Sequence, residues 1–161
     1  PSSFCLPMDV ILNSAFVYKV VQNSDLIVLL WEGNLPGVDQ IFLDGRPHPT
    51  NWSPSWMGHS PGRWEGDTLV VDVTGFNGKV WLDGRGHFTT EKLHVVERYT
   101  LNGDTISYEA TVEDPGVMTK PWKQNMTFIR LKPGERPLEY ECAENNQDLE
   151  HMKNPTAKAN K

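Results

Sequence analysis

The chain has 161 residues, 22% charged and 38% hydrophobic, and carries a net charge of −6. That length supports one domain with a sizeable core. The acidic balance, with no Lys/Arg run to offset it, excludes a general nucleic-acid binder. No apolar run approaches the roughly 18 residues of a spanning helix, so no membrane span is expected.

Residues 1–15 read as an N-terminal arm with one distinctive triplet, Cys5-Leu6-Pro7. Residues 16–21 and 26–31 are apolar, β-branched runs around Gln22-Asn23-Ser24-Asp25, which predicts a hairpin. A turn cluster, Glu32-Gly33-Asn34-Leu35-Pro36-Gly37, leads to a third strand at 38–43, which stops at Asp44-Gly45. Residues 46–61 hold four prolines together with Trp52 and Trp56. Proline cannot donate to a ladder, so this is loop, and a loop of that length in a compact domain points to function.

Next come Gly62-Arg63-Trp64 and Thr68-Leu69-Val70-Val71, flanking Glu65-Gly66-Asp67 as a tight hairpin. Residues 75–90 are irregular, with Asn77-Gly78, Asp83-Gly84 and Gly86-His87. Strands at 92–101 and 105–113 flank Asn102-Gly103, the strongest hairpin signal in the chain. Asp114-Pro115-Gly116 ends the second of them. Strands at 122–131 and 138–143 predict a last hairpin, and residues 146–161 form a polar tail with a short helical turn at 148–153.

About nine strands joined by hairpins, with no long helical pattern, predict an all-β domain over residues 16–145. An antiparallel up-and-down barrel of 8–9 strands, lipocalin- or calycin-like, is favoured over a sandwich, because closure removes exposed edges. Long loops would gather at one mouth, and the interior could hold one small ligand.

A two-residue turn at Asn102-Gly103 would set Tyr99 opposite Ile106, Glu97 opposite Tyr108, and Val95 opposite Ala110. Side chains alternate with period two, so Glu97 shares a face with Leu93, Val95 and Tyr99 whatever the register. A carboxylate on an apolar face must be paired, hydrogen-bonded or protonated. Glu97 is therefore either a structural bond inside the barrel or an acid/base or ligand anchor.

His48, His59 and His87 lie in or beside the long loops. Together they could line a mouth, and three imidazoles could hold a metal, though their spacing matches no dense zinc motif. His94 reads as a surface residue or one half of a pair with an acid on a neighbouring strand, and Asp72 as a solvated edge. Asp44 and Arg46 flank a turn. Their bond would stabilise it, or Arg46 could clamp a ligand carboxylate. Trp52, Trp56 and Trp81 could stack on an aromatic ring or sugar. No phosphate loop, Gly-x-Ser-x-Gly elbow, kinase or Rossmann signature is present.

Two cysteines, Cys5 and Cys142, stand near opposite ends. A disulfide between them is favoured over free thiols. The chain-entropy model gives such a long loop about 4–5 kcal/mol, and the bond implies an oxidising compartment.

Several segments together form a pattern: Asp44-Gly45-Arg46-Pro47-His48-Pro49, Trp56-Met57-Gly58-His59-Ser60, Gly62-Arg63-Trp64-Glu65-Gly66-Asp67-Thr68-Leu69-Val70-Val71, Thr74-Gly75-Phe76-Asn77, Trp81-Leu82-Asp83, Leu93-His94-Val95-Val96-Glu97-Arg98-Tyr99 and Asp114-Pro115. In these the chain resembles a family of uncharacterised exported bacterial proteins, from Cys5 to about Asn145. The resemblance implies a periplasmic or secreted protein and carries no activity. Where that family often has Cys-His followed by Glu-Gly-Asn, this chain reads Cys142-Ala143-Glu144-Asn145.

The expected function is binding of a small organic molecule, aromatic or sugar-like, with acid–base chemistry of isomerase, lyase or hydrolase type as an extension. Glu97 and His59 would be the catalytic groups. Arg46, His48, Trp56, Trp81, His87 and Tyr108 would contact the ligand. A non-catalytic carrier or a subunit of an extracellular assembly is the alternative. No cofactor is expected, a mononuclear metal on the loop histidines being the remote alternative, and self-association of the chain is left open.

Overall fold

The structure, a computed structural model, describes residues 17–32, 37–83 and 86–138. Eight strands form one sheet in sequence order: β1 Tyr18–Gln22, β2 Leu26–Trp31, β3 Val38–Phe42, β4 Ser60–Glu65, β5 Thr68–Val73, β6 His94–Asn102, β7 Thr105–Glu113 and β8 Trp122–Ile129. The sheet curls into a half-barrel, and there is no helix among the described residues. Tyr18 of β1 meets Phe128 of β8 edge to face, with ring centroids 5.0 Å apart, although no ladder joins those two strands. The anticipated strand at 138–143 lies, apart from Leu138, outside the described residues, as do Cys5, Cys142 and the tail.

Six of the seven neighbouring pairs are antiparallel, but β3 and β4 run parallel over Ile41↔Ser60 and Phe42↔Pro61. The expectation of an antiparallel meander throughout is thus corrected. The cause is the proline-rich loop 43–59, long enough to carry the chain back so that β4 starts beside the end of β3. Pro61 falls at this short pairing and outside the ladder with β5, where its missing N–H costs nothing.

The register of β6 and β7 is also corrected. Asn102 pairs with Thr105, so Gly103-Asp104 make the turn, with Gly103 at φ +61°. Gly66-Asp67 make the β4–β5 turn in the same way, with Glu65 opposite Thr68 and Gly66 at φ +61°. In both hairpins the glycine takes the first central position, where primed turns need positive φ. Asn102 is left in the ladder, and its amide donates to Thr100 O and Ser107 Oγ. The shift is two residues, so every side chain keeps its face.

The concave face carries the core: Ile27 and Leu29 of β2, Ile41 of β3, Val71 and Val73 of β5, Val95 of β6, and Ala110 and Val112 of β7. The convex face is polar. Thr68 bonds Thr100 at 2.8 Å, Arg98 meets Glu65 at 3.0 Å, and Lys123 meets Glu109 at 3.1 Å. The end of the irregular segment, at Thr90, is fixed by Asp114, 1% exposed. Asp114 accepts from Thr90 N at 2.6 Å, Thr90 Oγ1 at 2.8 Å and Gly116 N at 2.9 Å.

Candidate functional site

Two groups of polar and aromatic side chains stand on opposite faces of the sheet. The first lies inside the curl. Glu97 is 1% exposed, and its Oε1 accepts from the hydroxyls of Tyr99 at 2.9 Å and Tyr108 at 2.8 Å. Glu97 faces Ala110 in the ladder, while Tyr99 faces Tyr108, so the Tyr108 bond is diagonal. The two tyrosine rings lie 4.9 Å apart, and Phe128 and Tyr18 continue the aromatic row.

A second carboxyl, Asp39 on β3, shares this interior and is 3% exposed. Burial pushes its pKa up to about 7, against a small opposing effect of the Gln40 backbone N–H. Burial, then the charge of Glu97, also pushes the Tyr18 hydroxyl up to about 12. Tyr99 rises well above the usual phenol value through burial and the nearby Glu97, Tyr108 and Asp39. Both phenols therefore keep their protons near neutrality; Tyr99 donates its own to Glu97, while the buried Tyr18 hydroxyl has no hydrogen-bond partner among the described residues.

Beside this network, between β1 and the ends of β6, β7 and β8, is a cavity of about 700 Å³. Tyr18, Val20, Leu101, Ile106, Met126 and Phe128 supply its apolar wall, and Lys19, Arg130 and Arg136 also border it. Tyr18 and Phe128 belong both to the wall and to the aromatic row that leads to Tyr108.

The second group is on the convex face. The parity of β5 and β6 turns Asp72 and His94 away from Val71, Val73 and Val95. His94 Nε2 bonds Asp72 Oδ1 at 2.7 Å, the strand-to-strand pair that the sequence suggests. The loop 43–59 folds back on this face, with His59 bridged to Thr74. His48 Nδ1 stands 3.2 Å from His59 Nδ1 and 3.0 Å from Thr74 Oγ1, and His48 Nε2 is 3.7 Å from Asp72 Oδ1. Phe42 stacks on His59 at 5.2 Å, and Trp52 lies 5.1 Å from it on a tilt. Burial lowers the His59 pKa, helped by His48 and Arg46 and opposed by Asp44. Arg46 pairs with Asp44 across the turn and sits 4.1 Å over the Phe42 ring.

The anticipated residues therefore divide. Glu97 and Tyr108 meet in the interior. Arg46, His48 and His59 meet on the other face, so no single mouth collects both sets. His87 joins neither: its Nδ1 bonds Asp83 at 2.7 Å. Trp81, 40% exposed, bridges Phe88 in the same small hairpin, and Trp56 is half-buried. Among the described residues no group of three or more His, Cys, Asp or Glu is arranged to hold a metal.

Asp39 and Thr74 are additions that the sequence reading did not single out. In Val38-Asp39-Gln40-Ile41-Phe42, the two apolar ends alternate with Asp39, which argues for Asp39 outside; β3 turns the other way. Thr74 carries no local signal, because its role comes from the loop that folds over it.

Comparisons with protein-family models, with curated proteins and with solved structures return no match to this chain.

Proposed function

We propose that the protein binds a small organic molecule with an apolar, preferably aromatic, body inside the curl of the sheet. One observation carries this: the cavity of about 700 Å³ walled by Tyr18, Ile106, Met126 and Phe128. That volume and an apolar lining with a few polar groups at its border are what small-molecule sites require. Binding is preferred over acid–base catalysis because Glu97 is buried, is held by two phenols and does not line the cavity. Glu97 serves as the anchor that orients the aromatic wall. Closure into a lipocalin- or calycin-like barrel, export to the periplasm or beyond, membership of the exported family and the Cys5–Cys142 disulfide belong to the same proposal.

The test is a titration with a neutral naphthyl fluorophore that brightens in apolar surroundings. Saturable 1:1 binding is expected for the wild type, and Ile106→Trp, which projects an indole into the wall where the ligand would lie, should weaken it by about tenfold or more. Equal binding by both proteins would contradict the proposal.

A further inference from the structure

We propose that the convex-face pair His48–His59 binds one borderline divalent transition-metal ion of the zinc, copper or nickel class. The two Nδ1 atoms would be ligands, with the Thr74 hydroxyl beside them. This site is separate from the interior cavity and independent of what fills it.

The first support is distance. A tetrahedral ion with bonds of about 2.0–2.1 Å to imidazole nitrogen sets two such nitrogens about 3.3–3.4 Å apart. The His48 and His59 Nδ1 atoms are 3.2 Å apart and face each other. Imidazole nitrogen suits zinc, copper and nickel and is a poor ligand for magnesium or calcium.

The second support is tautomer. Asp72 Oδ1 lies 3.7 Å from His48 Nε2, beyond hydrogen-bond reach, and that nitrogen has no hydrogen-bond partner among the described residues; the carboxylate's charge nonetheless attracts a proton to Nε2 and so favours the lone pair on Nδ1. A carboxylate that accepts from the far ring N–H is the usual partner of a metal-binding histidine, and Asp72 would close to hydrogen-bond distance on loading. Asp72 is itself held by His94 at 2.7 Å.

The third support is crowding. His48 Nδ1 faces both Thr74 Oγ1 at 3.0 Å and His59 Nδ1 at 3.2 Å. One in-plane lone pair cannot accept two full hydrogen bonds. A cation between the three atoms resolves the conflict, because each then offers a lone pair. On loading, the proton on His59 Nδ1 moves to that ring's Nε2 or to water, and no electron changes hands.

The surroundings hold these atoms in place. Phe42 and Trp52 pack against the His59 ring. The Arg46 charge, which would oppose a cation, is paired with Asp44. Two imidazoles and a hydroxyl leave coordination positions open for water or an organic anion.

The test uses untagged protein and metal alone. Co²⁺ is titrated while its visible d–d bands are followed, then displaced with Zn²⁺. One equivalent is expected. His48→Ala and His59→Ala should each weaken binding at least tenfold, and Asp72→Asn by a smaller factor, since it removes only a charge near the far ring nitrogen. His87→Ala, on the far hairpin, should leave binding unchanged. His59 is buried, so a variant there could fail to fold. Imidazole ¹H–¹⁵N spectra of the wild type with Zn²⁺ provide the second readout, with shifts expected at His48 and His59. No stoichiometric binding by the wild type, or shifts confined to other histidines, would overturn the proposal.

Discussion

The Tyr108 hydroxyl donates to Glu97 Oε1 at 2.8 Å, diagonally across the β6–β7 ladder, and the Tyr99 hydroxyl donates to the same oxygen at 2.9 Å. Both are hydrogen bonds to one acceptor atom in a site closed to water. Bonds to a charged acceptor contribute about 1.5–3 kcal/mol each. Tyr108→Phe and Tyr99→Phe are each expected to lower unfolding stability by that amount. Because they share an acceptor, the double variant should depart from the sum. Urea unfolding of the four proteins measures both quantities. Additive losses within error would show that the two phenols act separately.

Asp39 gives the interior a pH dependence of unusual sign. Burial holds its folded pKa at about 7, well above the ordinary carboxylate value of 3.8. Between those limits the unfolded chain has released the proton and the folded chain still holds it. The contribution of Asp39 to stability therefore falls as pH rises from about 4 to 7, by a few kcal/mol, and stays lost above that. Asp39→Asn should be more stable than the wild type at pH 8 and should gain least near pH 4. Unfolding curves across that range, taken as variant minus wild type, check it. A flat difference would contradict the assignment.

Most of the fold could be read from local pattern. The first strands follow from apolar, β-branched runs, and the later ones from the turn signals at Glu65-Gly66-Asp67, at Asn102-Gly103 and at residues 132–137. The face of Glu97 followed from period two within its own strand, which no register error can change. What escaped was non-local. The parallel β3–β4 pairing depends on where the loop 43–59 lands, and no nearby residue encodes that. The Asn102-Gly103 signal was real but two residues out of register, because Gly103-Asp104 also supplies the positive φ and leaves the Asn102 amide to bond across the ladder. His48 and His59 were marked as candidates, but their meeting with Thr74 and Asp72 on the convex face needed the tertiary path of the loop.

Gly58 and Gly66 separate two causes of glycine dependence. Both have positive φ, +68° and +61°. A Cβ at Gly66 would meet nothing within 4 Å, while one at Gly58 would come within 2.5 Å of the Thr74 carbonyl oxygen. Gly66→Ala should cost about 1–2 kcal/mol, the backbone term alone. Gly58→Ala should cost clearly more and should loosen the contact of the loop 43–59 with β5. Thermal unfolding measures the difference, and amide exchange at His59 and Thr74 locates it. Equal losses would mean that the loop can shift away without penalty.

Asp114 ties Thr90, just ahead of β6, to the end of β7 through Thr90 N, Thr90 Oγ1 and Gly116 N. Asp114→Ala leaves those donors without their acceptor and should destabilise the protein by roughly 3 kcal/mol. Its distinguishing mark is faster amide exchange at Thr90 than at Val95, which lies in the β6 ladder. Protection at Thr90 equal to the wild type would show that another group holds Thr90.

The central claim is that a small apolar molecule occupies the cavity between β1 and β6–β8. Its most direct test is amide and methyl NMR of the protein titrated with the naphthyl fluorophore. The account predicts shifts centred on Tyr18, Ile106, Met126 and Phe128, saturating at one equivalent. Shifts that never saturate, or that centre on Trp52 and His59 across the sheet, would contradict it.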